Sequence, residues 1–109
     1  MEKHRGRILI VEDEKSMREV LKILLEGERY EVVSASDGLE GLSYLANDIF
    51  DLVITDIKMP KVDGFELLKK TKEISPDTIV IMITAFGTTE AAIEAMKSGA
   101  YDYINKPSR

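Results

Sequence analysis

Three runs of the chain are apolar almost without a break and rich in β-branched side chains: 7–11 (Arg-Ile-Leu-Ile-Val), 52–55 (Leu-Val-Ile-Thr) and 78–84 (Thr-Ile-Val-Ile-Met-Ile-Thr). Such runs suit strands covered on both faces, as in a parallel sheet, and the third, the most apolar, is expected to be central and buried. Two further runs, Tyr30–Ala35 and Tyr101–Asn105, alternate instead and are predicted at the sheet edges. The intervening segments carry helical spacing. Met17, Val20, Leu21, Leu24 and Leu25 predict a helix over 14–26, with Gly27 as its left-handed stop. Asp37-Gly38-Leu39-Glu40 opens a second helix bearing Leu39, Leu42 and Leu45. Asp63 and Glu66 read as the capping start of a third, carrying Phe65, Leu67, Leu68 and Ile74 and ended by Ser75-Pro76-Asp77. A fourth, over about 89–98, has only Ala92, Ile93 and Met96 as an apolar stripe, so it is expected to be thinly anchored before Gly99 ends it.

Five strands alternating with four helices predict one α/β domain over 1–109, a doubly wound parallel sheet with right-handed crossovers and the order 2-1-3-4-5. That order places the topological switch between the first and third strands, where ligands bind in open α/β sheets. Glu12, Asp13 and Glu14 follow the first strand and Asp56 ends the third. Glu14 reads as a solvated loop residue. A cluster of Glu12, Asp13 and Asp56 would repel itself and therefore points to a bound cation. Oxygen donors without cysteine or a nearby histidine favour Mg²⁺ over zinc. Thr84 and Lys106, at the ends of the fourth and fifth strands, bring a hydroxyl and an ammonium to the same crevice. A carboxylate flanked by a cation, a hydroxyl and an ammonium is suited to receive a phosphoryl group, giving an aspartyl phosphate at Asp56.

Charge and composition narrow the partners. A net charge of −5 argues against nucleic-acid binding and against an anionic membrane surface. With no cysteine there is no disulfide framework. Neither an apolar span long enough for a membrane helix nor a signal peptide is visible, so a soluble cytoplasmic protein is expected. Lys3-His4-Arg5 reads as a solvated tail with His4 inert.

Four pieces together, Val11-Glu12-Asp13-Glu14, Asp56-Ile57-Lys58-Met59-Pro60 with Asp63-Gly64, Ile83-Thr84-Ala85 and Lys106-Pro107, resemble in order and spacing the receiver domain of bacterial two-component response regulators. The match runs from Ile8 to Pro107. The resemblance implies Asp56 as phosphoacceptor, Asp13, Asp56 and the Lys58 carbonyl as Mg²⁺ ligands with Glu12 acting through water, and Thr84 and Lys106 holding the phosphate. It further implies a small residue at Ala85 for access, a cis Lys106–Pro107 bond, an aromatic switch at Tyr103 coupled to Thr84, and tuning of the phosphoryl lifetime by Lys58 and Phe86. A sensor histidine kinase and an output domain or partner protein are the implied partners. The stretches 84–87 and 99–103 look most like receivers of sigma-54 transcription activators. Such receivers carry a fifth helix after the Lys-Pro, whereas this chain stops at Arg109. Its loss is expected to bare the face over the fourth and fifth strands and to promote a homodimer through that face or the open strand edge.

Three rivals were weighed. A haloacid-dehalogenase-like phosphatase needs an aspartate two residues after the nucleophile, where this chain has Lys58. A flavin-binding module would want a hydroxyl-rich phosphate loop rather than Glu12-Asp13-Glu14. A pseudo-receiver or engineered fragment serving as an interaction module would be expected to lack Asp56, Thr84 or Lys106, and all are present.

Overall fold

The computed structural model describes residues 4–85 and 87–106. The expectations for Lys3, for Phe86 and for the Lys106–Pro107 bond lie outside the described residues. Within them the order is β1 (Arg7–Val11), α1 (Lys15–Gly27), β2 (Glu31–Ala35), α2 (Gly38–Asn47), β3 (Leu52–Asp56), α3 (Gly64–Ile74), β4 (Ile79–Thr84), α4 (Thr89–Lys97) and β5 (Asp102–Asn105). The five described strands form one parallel sheet ordered β2-β1-β3-β4-β5, as the apolar patterning predicts.

Strand alternation divides the core in two. Leu9, Val11, Val53, Val80 and Met82 face one side, where Leu45 of α2, Leu67 and Leu68 of α3 and Ala95 of α4 complete a buried cluster. Ile8, Ile10, Val32 and Ile54 face the other, packed by Leu21 and Leu25 of α1. The first side is fully roofed. On the second, α1 lies over β1 and β2 and has no buried residue of its own. Beyond it Ile79, Tyr101 and Ile104 are exposed, and Val20, Ile23 and Leu24 of α1 are more than half exposed. This corrects the expectation that β4 is buried throughout. Val80, Met82 and Thr84 are buried, but Ile79, Ile81 and Ile83 point to the open side. Continuous apolarity records what a strand could bury, and whether it does depends on a roof over both faces.

The helix starts follow the sequence closely. Asp37, Asp63 and Thr88 each accept a hydrogen bond from the backbone N–H three residues on, at Glu40, Glu66 and Ala91. The stops differ. Gly99, at φ +104°, ends α4 as expected, with its N–H bonded to the Met96 carbonyl and that of Ala100 to Ala95. Gly27 instead lies inside α1, and the left-handed residue is Arg29, at φ 71°. The Arg29 N–H reaches the Glu26 carbonyl and the Tyr30 N–H reaches Leu25, the same double closure as at Gly99. Packing decides the position: Tyr30 must land beside Leu25, and both pack on the α1-side cluster. Only α4 justifies the thin-anchor expectation fully, with Ala95 as its sole buried residue.

Because Arg29 holds a conformation that a Cβ disfavours, Arg29→Gly is expected to raise stability by a few tenths to about 1 kcal/mol, the relief slightly exceeding glycine's added unfolded-state freedom. Urea unfolding of the two chains checks this. A clear loss would mean that contacts of the Arg29 side chain outweigh the backbone strain.

Candidate functional site

The carboxyl ends of β1, β3, β4 and β5 open into a cleft of about 250 Å³ lined by Glu12, Asp13, Glu14, Asp56, Lys58, Thr84, Ala85 and Lys106. Each enters from a strand end or the loop beyond it, because parallel pairing aligns all the carboxyl ends on one edge. The structure therefore brings together every residue that the sequence places at the phosphate and metal. Tyr103 lies apart, half-buried against the α2–α4 side of the core.

Asp56 is held from two directions. Its Oδ1 accepts the Ile57 N–H at 2.7 Å, and its Oδ2 meets the Lys106 ammonium at 3.0 Å. The following loop returns tightly: Ile57, Met59 and Val62 are buried, and the Gly64 N–H bonds the Ile57 carbonyl at 2.8 Å. A Cβ at Gly64 would run into the Asp56 carbonyl oxygen, so glycine is required for this close approach. Aspartate at 63 then caps α3 directly beneath the site.

Glu12 is more buried than the sequence suggests, at 2% exposure. Its Oε1 lies 2.8 Å from Lys106 Nζ, and its Oε2 accepts the Glu14 N–H at 2.9 Å. Burial raises its carboxyl pKa above the ordinary value and the charge of Asp56 adds to this, while Lys106 and the Glu14 N–H offset part of it. Burial pulls the Lys106 ammonium down, but the two carboxylates outweigh it and its pKa is raised. One carboxylate oxygen from each of Glu12, Asp13 and Asp56 lies within 4.8 Å of the others. Asp13 is exposed and Glu12 and Asp56 are buried, so the group opens to solvent on one side. An all-oxygen donor set of this kind fits a hard divalent cation.

Two contacts were not legible in the sequence. Glu12 and Lys106 were read as serving metal and phosphate separately, and the structure joins them directly. Arg18 of α1 donates to the Glu12 carbonyl at 2.9 Å. Its one sequence signal is a cation in the first turns of a helix, the unfavourable sign for the helix dipole.

A family model described as the response regulator receiver domain matches residues 8–109. The transcriptional regulatory protein ZraR of Klebsiella oxytoca is 43% identical over 100 residues, covering 92% of this chain and 23% of that protein. The chain thus spans about a quarter of that relative. Among solved structures, a response regulator receiver domain protein from Clostridium thermocellum is similar at TM-score 0.87 and 42% identity, over 95% of this chain and 84% of that one. A beryllofluoride-activated NtrC4 receiver domain, solved as a dimer, is similar at TM-score 0.87 and 36% identity, over 94% and 85%.

The raised Glu12 pKa has a defined sign. The folded state keeps this proton to higher pH than the unfolded chain, so its contribution to stability falls as pH rises through the window above the ordinary carboxylate value. At neutral pH the charge is a cost. Glu12→Gln is therefore expected to stabilise the metal-free protein at pH 7 by about 1 kcal/mol, with the difference shrinking as pH falls into that window. Thermal melts in chelator across pH check this, and a variant that is less stable at pH 7 would show that the Lys106 pairing dominates.

Proposed function

Because the chain belongs to the response regulator receiver domain family, we propose that Asp56 accepts a phosphoryl group from the phosphohistidine of a sensor histidine kinase or from a small phosphodonor. The observation that carries this is the Lys106 ammonium, 3.0 Å from Asp56 and 2.8 Å from Glu12, in a cleft that Thr84 also lines. Asp13, Asp56 and the Lys58 carbonyl would hold Mg²⁺, with Glu12 acting through water. The ion, when bound, neutralises the carboxylates and the charge on the transferring oxygens. The chain's own groups do the rest. Ile57 N–H and Lys106 hold the Asp56 carboxylate in one orientation. Its oxygen forms the new P–O bond as the donor's bond to phosphorus breaks, the leaving group taking the electron pair. Lys106 and the Thr84 hydroxyl then stabilise the phosphoryl oxygens, and exposed Ala85 leaves the approach unobstructed.

Receiver domains are signalling domains and not turnover enzymes, so the chain's catalytic part is confined to assisting its own phosphorylation and dephosphorylation. In this reading residues 1–109 are one receiver unit acting in the cytoplasm. It switches an output domain or partner protein, in keeping with the transcriptional regulators it resembles, and does not itself bind nucleic acid. Among the described residues no helix is long and apolar enough to cross a membrane. Self-association through the open sheet face or the β5 edge belongs to the same reading, supported by exposed Ile79, Tyr101 and Ile104.

Incubation with acetyl phosphate and Mg²⁺ is expected to add one phosphoryl mass to the intact chain, and neither chelator-treated protein nor Asp56→Asn should show it. Equal labelling of that variant overturns the assignment. In sedimentation velocity the chain is expected to shift towards dimer as its concentration rises, and a monomer throughout would show that the exposed apolar face is tolerated as it stands.

A further inference from the structure

Tyr103 stands on β5 with its ring against the buried α2–α4 cluster, yet its hydroxyl oxygen is buried without a hydrogen-bond partner among the described residues. The ring can lie there because residue 87 is glycine. A Cβ at that position would stand 3.0 Å from the Tyr103 hydroxyl and 3.2 Å from its Cε1, and would run into Asn105 Oδ1. Two opposing terms thus meet at one place. The missing side chain makes a seat for the ring, and the unsatisfied hydroxyl makes that seat costly, since outside it water would supply the missing partner. The walls of the seat are also the segments that carry the site. Gly87 lies three residues beyond Thr84, and Asn105 pairs with Thr84 across β4 and β5 and precedes Lys106. The Lys106 N–H bonds the Thr84 carbonyl at 2.7 Å, so the two walls are tied together.

We propose that Gly87 is the positioning residue that seats Tyr103, and that the unpaired hydroxyl keeps the seat shallow, so that a rearrangement at Thr84 and Lys106 resets the ring. This link to the site rests on the phosphoacceptor reading of Asp56; the seat itself does not. It makes the ring a two-position element whose balance is set by one absent methyl group and one unmade hydrogen bond.

Nitration with tetranitromethane, assigned to each tyrosine by peptide mass, reads the seat directly. In the unaltered chain Tyr103 is expected to react about tenfold more slowly than Tyr101, which is 68% exposed. In Gly87→Ala its rate should rise to that of Tyr101. Tyr103→Phe keeps the ring and removes the unpaired hydroxyl, so its thermal midpoint should rise, a result open to measurement even if Gly87→Ala folds poorly. Adding acetyl phosphate and Mg²⁺, with intact mass recorded on the same samples, tests the link: phosphorylated chain should show a changed Tyr103 rate. Tyr103 still protected in folded Gly87→Ala, or a lowered midpoint for Tyr103→Phe, overturns the seat. A full phosphoryl mass gain with Tyr103 reactivity unmoved overturns the link, whereas no mass gain overturns the phosphoacceptor reading and leaves the seat to be judged by nitration alone.

Discussion

One ammonium ties the functional edge of this protein together. Lys106, at the end of β5, reaches across the sheet to Glu12 beyond β1 and Asp56 at the end of β3, and all three side chains are at most one-tenth exposed. Two carboxylates buried side by side would each drive the other towards its neutral form, and a third, Asp13, lies within 4.8 Å of both. The ammonium makes the arrangement tenable while leaving Glu12 with a raised pKa, which means that compensation is incomplete. A buried pair of this kind is a weak source of stability. Its value here is positional: it aims the carboxylates at one point and leaves them short of positive charge, the condition under which a divalent cation or a phosphoryl group with its metal is welcome.

The rest of the fold serves that edge unequally. On one side of the sheet, α2, α3 and α4 bury a continuous cluster and hold the β3–α3 loop down through Ile57, Met59 and Val62. Gly38 and Gly64 permit this, since a side chain at either would collide with that loop's backbone. On the other side α1 covers β1 and β2 and leaves the β4–β5 half open. The segment that reports on the site is also the loosest. α4 buries only Ala95, and the loop before it contains Gly87, against which Tyr103 rests. Rigidity around Asp56 and slackness around α4 are what a site read out at a distance requires.

Much of this was written in local sequence. Strand and helix order, the strand sequence 2-1-3-4-5, three side-chain caps and the glycine stop after α4 follow from patterning, because each depends on groups within a few residues of one another. The gathering of Glu12, Asp13, Asp56, Thr84 and Lys106 followed as well, since a parallel sheet must put all its strand ends on one edge. What tertiary structure decided was everything that depends on a distant neighbour. Gly27 has the chemistry of a helix stop, but the turn falls at Arg29, where Tyr30 can reach Leu25. β4 has the composition of a strand buried on both faces, but cover on one side is missing, and apolarity cannot reveal that. Glu12 and Lys106 lie more than ninety residues apart, and their pairing was hidden because each already had a plausible partner. Sequence determines which groups arrive at a site through the geometry of regular elements; which of them then touch depends on ångström-scale packing that no periodicity encodes.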